Sequence, residues 1–362
     1  MSENLNAVDA KQNAGLDLDQ DTTAPPLSPK PRGWRTWPLI RQWRQSFGWQ
    51  RTMLTIGLAI VGFYGLLALL APWITPFGFA QMKGKEGLTP VHAQPGGDYL
   101  MGTTTAGYDV FSRIIWGSRT AILVVLFALV LSLFIGVTLG LISGYLGGWL
   151  DRILVVFADA IYAFPSLLLA IVLSIMISGG QSSFLGGIFA AAGSITVVFV
   201  PQYFRVIRAE TIRLKAEPFV ESARVVGTST PRILTRHVFR NATRSLPLIM
   251  TLNASEAILT LAGLGFLGFG IEPTAAAEWG YDLNRAVADV ASGIWWTALF
   301  PGLAIVTLVL GITLVGESLN DLADPRLRIH RKPPSAKKNI SEGDKAANAE
   351  PTQNVKEGAG RE

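Results

Sequence analysis

The sequence predicts an all-α protein that crosses a membrane with six helices, and three observations support this fold class. The 362 residues are 49% hydrophobic and only 16% charged, whereas soluble domains carry about 25% charged residues. The apolar residues fall into runs long enough to cross a bilayer, which takes about 20 residues. The basic residues gather in the loops on one side of those runs, as expected for a polytopic membrane protein.

The six predicted helices follow from the stretches that lack charged residues. The uncharged stretch from Ala160 to Phe204 is too long for one crossing, so the Gly- and Ser-rich residues 178–187 divide it in two. Pro165 and Pro201 lie in these two helices, where each is expected to kink its helix or to act as a hinge. The predicted transmembrane helices are 53–73, one within 120–150, 155–178, 185–207, 246–270 and 294–315.

The loop charges predict the orientation in the membrane. The segment from Arg205 to Arg244 has nine basic and three acidic residues, whereas the loop 271–293 has four acids and one arginine. By the positive-inside rule the first is cytoplasmic and the second external. Six crossings then place both termini in the cytoplasm and the loop 74–119 outside. Near the end of that loop, Arg113 and Arg119 are expected to contact an acidic partner surface or to anchor the helix end by snorkelling.

The two ends of the chain are polar and contain no apolar core. Residues 1–30 and 326–362 are therefore predicted to be disordered cytoplasmic tails. Residues 31–52 combine arginines with tryptophans, which suits a helix lying at the headgroup level; a flexible stretch anchored by its tryptophans is the alternative. The remainder is the first helix, the external loop and a core of five helices over residues 120–325.

The residue types argue against catalysis by this chain. It has no cysteine and only three histidines, far apart, so neither a thiol nucleophile nor a His-based metal site is expected. The G-x-x-x-x-G-K-[ST], G-x-S-x-G and H-E-x-x-H motifs do not occur. We therefore expect no enzyme activity, no cofactor and no metal, and ATP hydrolysis would have to come from a partner.

Two acids lie inside predicted transmembrane helices, Asp159 in the third and Glu256 in the fifth. A carboxylate in hydrocarbon is costly, so such residues usually face a cavity or a partner. Both are candidates for lining a translocation path. Alternatively, Asp159 pairs with Arg152 or another group at the cytoplasmic edge, and Glu256 hydrogen-bonds to Asn253 or Ser255.

Glycines recur at every fourth position of the second predicted helix. Small residues at this spacing let helices approach closely. The stripe is expected to pack either on another helix of this chain or on a second subunit. Its members are Gly136, Gly140, Gly144 and Gly148.

The cytoplasmic segment 216–241 predicts a short helix, a glycine turn and a second helix. Pro218 suits a first helical turn, and Gly227 can adopt the left-handed conformation that ends a helix. Thr230 is predicted to cap the second helix, with Pro231 as its first residue. A DNA-binding helix-turn-helix is disfavoured because membrane helices tether both ends, and a solvated loop is the other alternative. The residues that share one face of the first helix are Phe219, Ala223 and Val226.

This segment resembles the EAA loop of binding-protein-dependent ABC permeases. The family pattern is Glu-Ala-Ala, three residues and Gly, and this chain has Glu221-Ser222-Ala223 and Gly227 at that spacing. The resemblance implies an ABC type I importer permease fold in which the short helix couples to a separate ATPase. The residues it assigns to this coupling are Glu217, Phe219, Glu221, Ala223, Arg224 and Gly227, with Glu221 and Arg224 offering charges to the ATPase.

Four further stretches resemble the C-type permease subunit of the oligopeptide, dipeptide and nickel importers. They are MGTTTAGYDVFSRIIWGSRTAIL (101–123), GGWLDRILVVFADAIYAFPSLLLA (147–170), AGLGFLGFG (262–270) and DLADPRLR (321–328). The chain departs from the usual residues of that family at Thr104, Arg240, Leu261 and Glu317.

The resemblance also implies the partners and the location. They are a homologous permease subunit, two ABC ATPase subunits, an external solute-binding protein and the lipid bilayer of the bacterial plasma membrane, with no nucleic acid. The implied activity is ATP-driven uptake of di- or oligopeptides, with nickel or another small solute as the alternative cargo. From other classes, an ion-coupled secondary transporter would use Asp159 and Glu256, whereas a membrane scaffold would transport nothing.

Overall fold

The computed structural model describes residues 49–84, 87–179 and 184–323. Both predicted tails, residues 31–48 of the predicted interfacial segment and the end of the DLADPRLR stretch lie outside these ranges. The described chain is helical apart from two short strands, β1 (Lys83–Gly84) and β2 (Gly87–Leu88). The helices are α1 (Trp49–Ile74), α2 (Val110–Leu146), α3 (Gly148–Tyr162), α4 (Ser166–Ser178), α5 (Phe184–Lys215), α6 (Pro218–Val225), α7 (Leu246–Phe266), α8 (Trp279–Ala291) and α9 (Trp296–Ala323).

The helices agree with the predicted polytopic fold class. Five helical stretches of the described chain are long and apolar enough to cross a membrane, and the bent pair α3–α4 makes six if it counts as one crossing. Within the bundle, α2 packs along α5, while α9 packs against α1, α7 and α8. These contacts bury a continuous apolar core that includes Val124, Ile195 and Leu264.

The third predicted crossing is not one helix over 155–178. The structure has α3 and α4 instead, and their axes meet at 99°. Pro165 lies at the break, where proline provides no N–H and disfavours helical conformation in the residue before it. Pro201, in contrast, lies inside a continuous α5.

Two helices extend into segments predicted as external loops. Helix α2 begins at Val110, inside the predicted loop 74–119, because the Asp109 carboxylate accepts a hydrogen bond from the Ser112 N–H at 2.8 Å and caps the helix. Helix α8 occupies most of the predicted loop 271–293. Its N-cap is Glu278, whose carboxylate accepts from the backbone N–H groups of Gly280 and Tyr281, each at 2.8 Å. The strands β1 and β2 pair antiparallel between α1 and α2.

Gly136, Gly140 and Gly144 of the predicted stripe lie directly against α5 of the same chain. Gly148, the fourth predicted member, lies instead at the start of α3 and has open space where a Cβ atom would be. A Cβ atom at Gly136 would lie 2.5 Å from the Cβ of Tyr203, and one at Gly140 would lie 2.8 Å from the carbonyl oxygen of Phe204. At Gly144 the nearest atom would be the Arg208 carbonyl oxygen, again at 2.8 Å. These distances leave no room for a side chain on α2. The three glycines therefore determine how closely α2 and α5, the two longest helices, approach each other.

Gly140→Ala is expected to lower the thermal unfolding midpoint of the purified protein. The added methyl group would press on the α5 backbone, and overpacking of this kind costs about 1–3 kcal/mol, more than the roughly 1 kcal/mol gained by replacing a helical glycine with alanine. Gly62→Ala in α1 is the matched control, because a Cβ atom there meets nothing within 4 Å. The control should unfold at or above the wild-type midpoint, and equal midpoints for the two variants would contradict the close contact.

Candidate coupling segment and membrane-embedded charges

The short helix α6 follows α5 after a turn at residues 216–217. Pro218 occupies its first turn, as predicted. Gly227 ends the turn after it with φ +79°, and its N–H donates to the Arg224 carbonyl oxygen at 2.8 Å. A non-glycine residue would be strained at this φ. The Glu221-Ser222-Ala223 to Gly227 spacing therefore corresponds to one helix and the turn that closes it.

The second helix of the segment is irregular and continues into α7. It is α-helical over Thr230–Arg232, π-helical over Ile233–Val238, α-helical over Phe239–Ala242 and 3-10 over Thr243–Ser245. Its N-cap is Ser229 rather than the predicted Thr230. Together with α7 this makes a helical stretch from Thr230 to Phe266. Any displacement of α6 therefore acts close to the Thr230 end of a long helix.

The residues of helix α6 differ widely in burial. Val220 is its fully buried residue, and Ala223 packs partly buried against the core. Phe219 is 39% exposed, and Val226, the C-cap residue, is 84% exposed. Val225, which the sequence reasoning did not assign, is 81% exposed. The residues that the sequence placed on one face therefore include both partly buried and exposed side chains.

Arg224 contacts the end of α2. Its Nε donates to the Tyr145 hydroxyl at 3.2 Å, and its guanidinium lies 5.2 Å from the centre of the Tyr145 ring. Lys215 donates to the Tyr145 carbonyl oxygen at 2.6 Å. Tyr145 itself is buried. Arg224 therefore links α6 to the bundle, whereas Glu221 is exposed.

A second set of bonds joins α2, α3 and α5 at the same level. Arg208 donates from Nε and Nη2 to the two carboxylate oxygens of Asp151, at 2.5 and 2.7 Å. The Ser143 hydroxyl donates to the same carboxylate at 2.5 Å. A bidentate pair of this geometry is strong and directional. The three helices are thus fastened together next to the point where α6 attaches.

The two acids predicted to lie in the membrane are both exposed in the isolated chain. Asp159 pairs with Arg205 of α5 at 2.6 Å, not with Arg152. The Arg205 guanidinium also lies 4.2 Å from the centre of the Tyr162 ring.

Sequence reasoning missed Arg205 and Tyr162 as members of this group. For Glu256, the described hydrogen bonds include none to Asn253 or Ser255; Ser255 donates to the Thr251 carbonyl oxygen at 3.4 Å instead. The one feature of the sequence that could have identified Arg205 was its position near the end of an apolar predicted helix. Its contact with Tyr162 depends on the break at Pro165 and so could not be read from spacing.

The end of the bundle at which α2 begins is held by buried polar groups. Arg113 is 2% exposed, and its guanidinium pairs with Asp282 of α8 at 2.6 Å while donating to the Phe79 carbonyl oxygen at 2.8 Å. It is therefore not available as a surface contact, contrary to one of the two sequence expectations. Arg119 is half-buried over the Trp116 ring.

Burial also affects the acid that caps α8. It raises the pKa of the Glu278 carboxyl to about 8, although the hydrogen bonds from the Gly280 and Tyr281 N–H groups oppose this shift. The carboxyl therefore binds a proton more readily in the fold than in water. Groups of three or more residues able to hold a metal ion do not occur in the described ranges.

Comparisons with known proteins place these features in a sequence family. Residues 136–329 match the family described as binding-protein-dependent transport system inner membrane component. The dipeptide transport system permease protein DppC of Alkalihalophilus pseudofirmus is 33% identical over 308 residues, 84% of this chain and 96% of that protein. DppC of Haemophilus influenzae is 36% identical over 275 residues, 75% and 90% of the two chains. The glutathione transport system permease protein GsiD of Pectobacterium atrosepticum is 31% identical over 313 residues, 82% and 99%.

Asp282→Asn is expected to destabilise the protein by about 3–5 kcal/mol, because it leaves the buried Arg113 guanidinium without its counter-charge. The loss would appear as a lower thermal unfolding midpoint. Arg285→Gln on the same helix is the control, since Arg285 is exposed and surface changes usually stay within about 0.5 kcal/mol. Equal midpoints for Asp282→Asn and Arg285→Gln would show that the buried pair does not hold α8.

Proposed function

Because the chain belongs to the family of binding-protein-dependent transport system inner membrane components, we propose that it is one of two homologous permease subunits of an ATP-driven peptide importer. Members of this family are multi-pass inner membrane transport proteins that are not themselves catalytic. The observation that carries the finer proposal is the exposed, glycine-ended helix α6 attached to the cytoplasmic ends of the bundle.

The proposed cargo is a small peptide. Relatives that align over most of this chain are named as dipeptide and glutathione permeases. Dipeptides and glutathione are small, carry both charges and contain amide bonds. The departures at Thr104, Arg240, Leu261 and Glu317 are compatible with a particular choice among such cargoes. An external solute-binding protein would deliver the cargo.

The proposed ATPase contact is the exposed side of α6 and its turn. Val225 and Val226 expose most of their apolar surface at the end of α6, and Phe219 is exposed near its start; neighbouring exposed apolar side chains such as the two valines are typical of a protein contact. Glu221 is exposed beside them. Glu217 and Gly227 bound the helix and set its direction, while Ala223 packs toward the core. Two ATPase subunits would then act on this chain and on its homologous partner.

The bonds of Tyr145 suggest how a push on α6 reaches the membrane. Arg224 ties α6 to the end of α2, and Lys215 ties the end of α5 to the same residue. The glycine stripe holds α2 and α5 together above that point. Displacement of α6 would therefore move α2 and α5 as one body, which is the rigid-body motion that alternating access requires.

The proposed path runs between this chain and the homologous subunit. Asp159 and Glu256 are exposed in the single chain, and lipid is a costly neighbour for a carboxylate. A polar path at the subunit interface would hydrate both. The orientation in this proposal is the one that the loop charges predict, with α6 and both termini in the cytoplasm.

Gly227→Trp is expected to abolish most ATP-dependent peptide uptake while leaving membrane insertion and ATP hydrolysis by the complex in place. The indole would stand at the ATPase contact and the backbone would be strained at φ +79°. Gly293→Trp is the matched control, because Gly293 also has a positive φ, +82°, and open space for a Cβ atom, but lies after α8 on the proposed external side. Uptake of radiolabelled dialanine and phosphate release, measured together, report the coupling.

Wild-type uptake by Gly227→Trp would contradict the coupling role of the turn. The same assay separates the alternatives from other classes. Uptake that survives collapse of the proton gradient but stops on ATP depletion supports the importer, whereas the reverse pattern would identify an ion-coupled transporter. Absence of ATPase subunits from the complex purified through a tag on this chain would also overturn the proposal.

A further inference from the structure

Three side chains from α3 and α5 form one exposed polar group, which we call the charge cluster: Asp159, Tyr162 and Arg205. In the Arg205–Asp159 pair the two side chains are 50% and 56% exposed. Arg205 also covers the Tyr162 ring, with its guanidinium 4.2 Å from the ring centre. A cation, an aromatic ring and a carboxylate therefore meet on one open face.

A structural brace is a poor explanation for the Arg205–Asp159 pair. One turn further along α5, Arg208 already joins α5 to α3 through its bidentate bond to Asp151, with side chains only 30% and 17% exposed. Exposed ion pairs contribute about 0–1 kcal/mol. The Arg205–Asp159 pair therefore adds little stability to the contact between α3 and α5, which the Arg208–Asp151 pair already holds. Breaking the Arg205–Asp159 pair also costs little free energy.

The chemistry of the cluster fits a ligand that carries both charges. An arginine guanidinium can donate two parallel hydrogen bonds to one carboxylate. In the described chain Arg205 donates to Asp159 through a single nitrogen, so its full bonding capacity is not used by this pair. A carboxylate and an aromatic face together suit an ammonium group. Small peptides present a carboxylate at one end and an ammonium at the other, so they match both halves of the cluster.

We propose that the charge cluster is a binding station for the two charged ends of a small peptide on its way through the path. Arg205 holds the peptide carboxylate, and Asp159 with the Tyr162 ring holds the ammonium group. Asp159 pairs with Arg205 when the path is empty and turns to the ammonium group when a peptide arrives. This inference rests on the proposed function, because it requires that the exposed face line the path.

The test measures ATP-driven uptake of radiolabelled dialanine by the intact importer, purified through a tag on this chain and reconstituted with its binding protein. Arg205→Gln and Asp159→Asn are each expected to lower the uptake rate at least tenfold, with ATP hydrolysis and complex assembly at wild-type levels. The double variant Asp159→Asn/Arg205→Gln, which leaves no unpaired charge at this pair, should be as defective as Arg205→Gln. Arg152→Gln is the control, since Arg152 is exposed on α3 and Asp159 pairs with Arg205 instead of with it, so this variant should transport normally.

The exchanged variant Asp159→Arg/Arg205→Asp distinguishes a ligand site from a brace. It restores an ion pair but reverses the charge offered to the peptide, so it should remain defective. Recovery of uptake by this variant would overturn the binding station and identify the pair as structural. Normal uptake by both single variants would overturn it too, while leaving the importer proposal intact. A wild-type importer that hydrolyses ATP but moves neither dialanine nor other small peptides would overturn the peptide cargo and the station together.

Discussion

The close contact between α2 and α5 is the constraint on which the rest of the structure depends. Gly136, Gly140 and Gly144 bring the two longest helices so near that their backbones touch side chains and carbonyl groups across the contact. Dispersion attraction between two helices increases as they approach each other. In a membrane this attraction takes the place of the hydrophobic effect, because lipid tails are as apolar as the helix side chains. Because α2 and α5 are held as one unit, the elements attached near Tyr145 and Lys215 act on both helices at once.

Those attachments connect α6 to the helical bundle. Tyr145 receives Arg224 from α6 and Lys215 from the end of α5, and Asp151 receives Arg208 a few residues further on. On the other side of the bundle, Arg113 and Asp282 hold α8 to the start of α2 by a buried pair. Helix α2 is therefore fastened near both of its ends. In the proposed mechanism, a push on α6 would tilt α2 and α5 together rather than bend one helix.

Periodicity and charge predicted the crossing helices and the cytoplasmic segment, because each depends on local residue type. Pro218 and Gly227 bound α6 as predicted, since proline and glycine act on their own backbone. Three features needed tertiary structure. Pro165 turns a predicted single crossing into α3 and α4, which brings Tyr162 to Arg205. Val225 becomes the exposed residue and Val220 the buried one. Arg113 is polar and near a predicted boundary, so only its contact with Asp282 shows it to be buried.

The central claim is that α6 faces the cytoplasm and receives the ATPase. The chain has no cysteine, so Val226→Cys introduces its one thiol, and labelling of this chain by a membrane-impermeant maleimide reports access to that position. The account predicts no labelling in right-side-out vesicles, none in inverted vesicles that retain the ATPase subunits, and strong labelling in inverted vesicles after those subunits are stripped. Labelling from the outside, or equal labelling with and without the ATPase subunits, would contradict it.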